Sequence, residues 1–165
     1  MTTSLLDETT MSWVGRTVTA PPYPVTRADI AKFAVAIGAR DPVHFDPETA
    51  RAQGHPDVVA PLGFYVAVRL QSQNLVPLDE LNGDGVSPGL TPPSRASKIM
   101  AGDTRARFHR RIHAGDVIGL TTAISGIQEK QGRSGPLILV SYSLDYTDQD
   151  NGEAVVSETY ARVLR

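Results

Sequence analysis

His44 is the side chain here best suited to moving a proton, because imidazole titrates near neutrality. It stands in the run Ile37-Gly38-Ala39-Arg40-Asp41-Pro42-Val43-His44-Phe45-Asp46-Pro47, with Asp41 and Asp46 on either side and Asp57 further on. A proline-stiffened loop between two apolar segments is a common place for positioned acid–base chemistry. The same residues also describe an ordinary Asp-Pro turn before a helix, with His44 bracing its neighbours. A second chemical stretch gathers Arg105, Arg107, His109, Arg110, Arg111 and His113 within nine residues. On a strand, Arg105, Arg107, His109 and Arg111 point one way and Ala106 and Phe108 the other. That face is either solvated or a patch for the phosphates of an anionic ligand, whose geometry guanidinium groups match.

Elements must hold these residues in place. Val14 to Ala20 reads as a first strand, ended by Pro21-Pro22. Thr26 and Asp29 form a capping-box pattern for a helix carrying Ile30, Phe33, Ala34 and Ile37, which Gly38 ends. Its narrow apolar stripe places it on a surface. Asp46 caps a short helix over 47–52, with Pro47 at its first position. Pro61 to Leu75 is the most apolar helix, buried on most sides. Residues 76–97 form a long insertion rich in Gly, Pro, Asn, Asp and Ser, either the wall of a binding site or a surface loop. The second half turns to strand character at 104–110, 117–127, 137–146 and 154–164. The cleanest alternation puts Ile138, Val140, Tyr142, Leu144 and Tyr146 on one face. Hairpin-length connections make the sheet antiparallel, and the expected class is α+β in two layers, sheet against helix.

The chain has 165 residues, enough for one domain, expected over 14–165 after a lead-in of 1–13. A net charge of −2 gives no general attraction to nucleic acid. The absence of cysteine excludes disulfides, thiol nucleophiles and Cys-ligated metals. No metal site or cofactor is expected. No apolar run approaches the roughly 18–20 residues that span a bilayer, and residues 1–13 do not read as a signal peptide, so a cytoplasmic location is expected.

Several stretches, taken in order, resemble one family. They are Ile30 to Ile37, Asp41-Pro42-Val43-His44-Phe45-Asp46, Val59-Ala60-Pro61-Leu62-Gly63-Phe64, Phe108-His109-Arg110 with Ala114-Gly115-Asp116, and Glu129 to Leu137. The chain is similar to MaoC-like hotdog dehydratases and hydratases, in the branch named for the N-terminal, fatty-acid-synthase-like dehydratase domain. The resemblance implies a curved antiparallel sheet wrapped around one long helix, here Pro61 to Leu75. It also implies pairing with a second such unit, as homodimer or heterodimer, and an acyl thioester of coenzyme A or acyl carrier protein at the junction.

The family's Asp-x-Asn-Pro-x-His pattern puts its catalytic histidine at His44 and its proline at Pro42. Asp41 takes the place of the asparagine and Ala39 that of the catalytic aspartate. The resemblance implies His44 as base, with Asp41 as substitute for the second carboxylate. Pro61, Leu62, Gly63 and Phe64 would form the substrate-binding start of the long helix. There the amides of Gly63 and Phe64 would face the thioester oxygen, whereas Pro61 has no N–H to offer. Arg105 and Arg107 would meet ligand phosphates. Three functions stay open: an (R)-specific enoyl thioester hydratase or 3-hydroxyacyl thioester dehydratase, a non-catalytic subunit shaping the acyl channel of a heteromeric dehydratase, and an acyl-thioester-binding or thioesterase-like protein.

Overall fold

The computed structural model describes residues 4–74, 90–96, 98–133 and 135–165. Among these residues ten elements follow in order. They are helix α1 (Glu8–Met11), strand β1 (Thr17–Pro24), helix α2 (Arg27–Ala36), a 3-10 turn (Pro42–His44), and helices α3 (Pro47–Ala52) and α4 (Phe64–Asn74). Strands β2 (Ile99–Phe108), β3 (Val117–Gly132), β4 (Gly135–Asp148) and β5 (Ala154–Leu164) complete them. The strands make one sheet in the order β1-β3-β4-β5-β2, and every neighbouring pair is antiparallel.

The alternation expected for β4 is observed. Ile138, Val140, Tyr142, Leu144 and Tyr146 are all buried, and their partners across β5 are Leu164, Arg162, Tyr160, Glu158 and Val156. On β3 the buried set runs Ile118, Leu120, Thr122, Ile124 and then Ile127. A bulge between Ile124 and Gly126 shifts the parity by one residue there, returning Ile127 to the core face. Helix α4 lays Phe64, Tyr65 and Val68 on this face, with the Tyr65 ring edge-on to both Phe108 and Tyr146. Phe33 of α2 meets Phe64 edge to face at 5.5 Å, so α2 covers the start of α4 from outside.

Some boundaries differ from expectation for identifiable reasons. β1 continues through Pro21-Pro22 to Pro24. It is an edge strand, and its register shifts between Ala20 and Tyr23, so the missing proline amides cost no ladder bond. β3 and β4 pair as far as Gly132 and Gly135, beyond the core, and polar residues such as Glu129, Lys130 and Gln131 therefore suit that ribbon. β2 begins five residues earlier than expected, at Ile99. Helix α4 starts at Phe64 rather than Pro61, because the chain leaves an extended segment through a turn closed by the Phe64 amide on the Pro61 carbonyl, 2.9 Å. The lead-in contributes Leu5, Leu6 and Trp13 to the core, and Thr10 is buried with its hydroxyl donating to the Pro93 carbonyl. Most of the expected 76–97 insertion lies outside the described residues. Within 90–96, Leu90 packs on the core and its carbonyl accepts the Tyr142 hydroxyl.

Candidate active site

The site loop is built from local caps. The Thr26–Asp29 capping box starts α2, and Gly38, at φ +74, lets the chain turn away after Ile37. Asp41 then caps the 3-10 turn by accepting the Val43 amide at 3.1 Å. Pro42 occupies its first position, and Val43 and His44 turn inward. Asp46 accepts the amides of Glu48 and Thr49 and so starts α3, as expected. The carboxylates of Asp41 and Asp46 therefore serve the backbone, on exposed residues, while the imidazole between them is buried.

His44 is held by the extended segment Val58–Ala60. Its Nδ1 lies 2.5 Å from the Val59 carbonyl, an acceptor only, so Nδ1 carries the proton and donates it. Nε2 is left with the lone pair, the form a general base needs. Val59 also donates its amide to the Val43 carbonyl at 3.0 Å, so one residue fixes both the turn and the ring. The opposite edge of this segment bonds to the β2–β3 connection. Ala60 donates to Ile112, Ala114 donates to Val58, and Arg111 Nη2 reaches the Ala60 carbonyl at 3.1 Å. Among the described residues Arg111 Nε is buried without a partner. Asp57 anchors the loop from the other end by accepting Arg27 Nε and Nη2 at 2.8 and 2.6 Å, with Arg51 at 3.5 Å. The Arg27 bonds, more than any other contact, hold the Asp57 carboxyl down to about 2.

The segment runs directly into Pro61-Leu62-Gly63 and α4. Phe64 already spends its amide on Pro61, whereas those of Leu62 and Gly63 meet no acceptor among the described residues. Both residues are exposed, and a Cβ at Gly63 would meet only the Phe33 ring, 3.5 Å away. The unengaged amides at the helix start are therefore those of Leu62 and Gly63, where Gly63 and Phe64 were the expected pair.

Arg105 and Arg107 lie on the exposed face of edge strand β2, opposite Ala106 and Phe108 as the alternation requires. Arg105 pairs with Asp103 at 3.1 Å in a fully solvated setting. Arg110 leaves the patch altogether. It bonds Asp116 at 2.7 Å and Asp148 at 2.5 Å, and although burial opposes its charge these two carboxylates outweigh it and raise its pKa. Ala39 carries no polar side chain, and its amide donates to Ala34. Among the described residues no group of three or more His, Asp or Glu is arranged to hold a metal ion.

Three features escaped the sequence. The Val59 carbonyl is backbone, and nothing in residue types marks it. The His55–His113 contact joins positions 58 residues apart. Glu158, bonded to Arg69 of α4 and to the Tyr146 hydroxyl, was within reach, since strand parity places it with Val156 and Leu164 on the inner face.

Comparison with known proteins agrees with this architecture. The family model described as "FAS1-like, dehydratase domain region" matches residues 12–158. A UPF0336 protein of Streptomyces griseus is 32% identical over 155 residues, 93% of each chain. A probable enoyl-CoA hydratase alpha subunit of Thermomonospora curvata is 31% identical over 160 residues, 93% of this chain and 50% of that protein. The HadBC (3R-hydroxyacyl-ACP dehydratase) complex of Mycobacterium tuberculosis contains a chain that superposes with a TM-score of 0.69 at 26% identity, covering 92% of this chain and 96% of that one. The fold is the hotdog of the MaoC-like dehydratases.

Proposed function

Because the chain belongs to the FAS1-like dehydratase-domain family, we propose that it is an (R)-specific enoyl thioester hydratase, or the reverse 3-hydroxyacyl thioester dehydratase. The observation that carries this is His44, buried, with Nδ1 donating to Val59 and Nε2 free to accept a proton. In hydration, His44 Nε2 takes a proton from water as the water oxygen bonds the β-carbon of the enoyl group. The π electrons move to the α-carbon and thioester oxygen, where the unengaged amides of Leu62 and Gly63 stabilise the charge. A proton then reaches the α-carbon, through Asp41 or straight from the imidazolium, and the elements of water are added in full. Coenzyme A or acyl carrier protein carries the acyl group, with Arg105 and Arg107 meeting phosphates on the carrier. Two relatives' names support this class: an enoyl-CoA hydratase subunit and a 3R-hydroxyacyl-ACP dehydratase complex.

The test is turnover of crotonyl-CoA and of its carrier-protein thioester by the purified chain. We expect His44→Ala to lower kcat/KM by at least about 100-fold, the scale of lost general-base catalysis. Unchanged turnover removes His44 from the chemistry. Asp41→Asn separates the two proton routes, because it spares the direct route and blocks the other.

A second reading has its own observation. Ala39 supplies no carboxylate, and Asp41 is already bound to the Val43 amide. On that reading the chain is a subunit paired with a different, competent hotdog chain, as the named HadBC complex suggests. β2 is a sheet edge with Ile99, Met100 and Phe108 exposed, a surface suited to a second hotdog subunit of either kind. No turnover by the chain alone, restored on mixing with such a partner, selects it.

A further inference from the structure

The loop that aligns His44 is itself closed by a pair of imidazoles. His55 Nδ1 and His113 Nε2 are 3.2 Å apart, with ring centroids at 5.3 Å. A hydrogen bond between two imidazole nitrogens exists only while one carries a proton and the other does not. His55 precedes the 58–60 segment, anchored through its amide to the Ala50 carbonyl at the end of α3. His113 is the residue bridged to Val59. The pair therefore joins the two strips of chain whose contact places the Val59 carbonyl under the His44 ring.

We propose that His55 and His113 are positioning residues for His44, keeping the 58–60 segment seated and releasing it when both rings are protonated. The proposal rests on His44 being the base of the site. One added proton leaves the bond intact, since an imidazolium donates to a neutral ring. A second makes both nitrogens donors at 3.2 Å and removes the bond. The surrounding charges do not absorb that repulsion. On the His113 side, Asp116 accepts the His113 amide at 2.8 Å but is bound to Arg110, and Arg110 and Arg111 add positive charge. On the His55 side, Asp57 is bound to Arg27 and Arg51. Burial, with smaller contributions from His55 and the two arginines and against the pull of Asp116, lowers the His113 pKa below the ordinary histidine value. The clamp is therefore closed at neutral pH and opens on acidification.

The experiment is long-range proton–nitrogen NMR of the four histidine rings in the full chain from pH 8 to pH 5. It is run on the wild type, His55→Asn and His113→Gln. Asn places an amide where Nδ1 was, and Gln where Nε2 was. Either amide turns between donor and acceptor, so the bond survives protonation of the remaining ring. We expect His44 to show the Nδ1–H tautomer at pH 8 in all three proteins. In the wild type it loses that signature together with the second protonation of the pair, and in the variants it keeps it to a pH lower by about half a unit or more. In turnover, the acid limb of kcat/KM falls more steeply than tenfold per pH unit in the wild type and by about tenfold per unit in the variants.

Coincident His44 midpoints in the wild type and both variants overturn the proposal. So do opposite tautomers of the two clamp rings at pH 8, one Nδ1–H and the other Nε2–H, which set two donors or two lone pairs face to face. Should one variant fail to fold, the other and the wild-type titration decide. Because the NMR readout needs no turnover, coupled histidines in a chain whose turnover survives His44→Ala refute the role given to His44 in catalysis and leave the coupling of the clamp to the His44 ring standing.

Discussion

Replacing Arg69 with Met strands the Glu158 carboxylate in the core. The Glu158 side chain is fully buried on β5, and its carboxylate has two partners: the Arg69 guanidinium from α4 and the Tyr146 hydroxyl, which donates at 2.7 Å. Arg69 also lies over the Tyr160 ring, 4.8 Å from its centre. Removing one partner of a buried ion pair costs about 3–5 kcal/mol, because the other charge stays buried. In a chain of this length each kcal/mol lowers Tm by about 2–4 °C, so we expect a fall of roughly 6–20 °C. The pH dependence gives the sign. Burial holds the Glu158 carboxyl above its usual range, partly offset by Tyr146 and Arg69. A raised folded-state value means that the protonated acid favours the fold. That contribution is complete below about 4.5 and is lost as pH rises through the raised value. Without Arg69 the value rises further, so the gap between variant and wild type widens with pH and narrows in acid. Adding Glu158→Gln removes the charge, keeps an acceptor for Tyr146, and recovers most of the loss. Urea unfolding at pH 5 and pH 8 measures all four proteins of the cycle. A loss below about 1 kcal/mol at pH 8, or a gap that does not shrink toward pH 5, refutes the reasoning.

Two further outcomes are expected. Arg27→Gln returns the Asp57 carboxyl from about 2 toward its ordinary 3.8, visible in carboxyl carbon NMR. In the wild type the contribution of this pair is present above about 3.8 and lost as pH falls toward 2, so acid unfolding begins at higher pH in the variant. An unmoved titration shows that Arg51 alone suffices. Arg105→Gln with Arg107→Gln weakens coenzyme A binding, measured by calorimetry at low salt, and unchanged affinity assigns that face of β2 to solvent.

The sequence displayed the frame wherever one physical signal acted alone. The Thr26–Asp29 and Asp46 caps are local chemistry, and both form as written. The β4 alternation survives because one whole face of that strand is core. Where two effects compete, residue types mislead. Pro21-Pro22 normally ends a strand, yet an edge strand with a bulge has no ladder bond to lose at those positions. Glu129-Lys130-Gln131 has loop composition, yet a ribbon projecting past the core has no apolar face to reveal. The arginine-rich strand was legible as a face but not as a charge distribution. Its neutralising partners, Asp116 and Asp148, come from the β2–β3 connection and the end of β4, and only the fold brings Asp148 to Arg110.

The departure at Ala39 changes meaning once the geometry is known. A carboxylate near a catalytic histidine can do two jobs, orienting the ring and delivering a proton. Here the first job belongs to the Val59 carbonyl, which fixes tautomer and ring position without any side chain at 39. Val59 is in turn fixed by its own amide on Val43 and by its bridge to His113. On the proposed function, the departure at 39 is therefore confined to proton delivery. On that reading a site that keeps alignment and lacks one proton donor keeps its base. Activity then depends on whether Asp41 leaves the Val43 amide, the imidazolium returns the proton itself, or a second subunit brings the missing acid. The 3-10 turn gives the first of these a definite cost. Asp41 holds the turn that carries His44, so drawing its carboxylate into the chemistry loosens the platform under the base. Direct return from His44, or an acid from the partner, avoids that conflict.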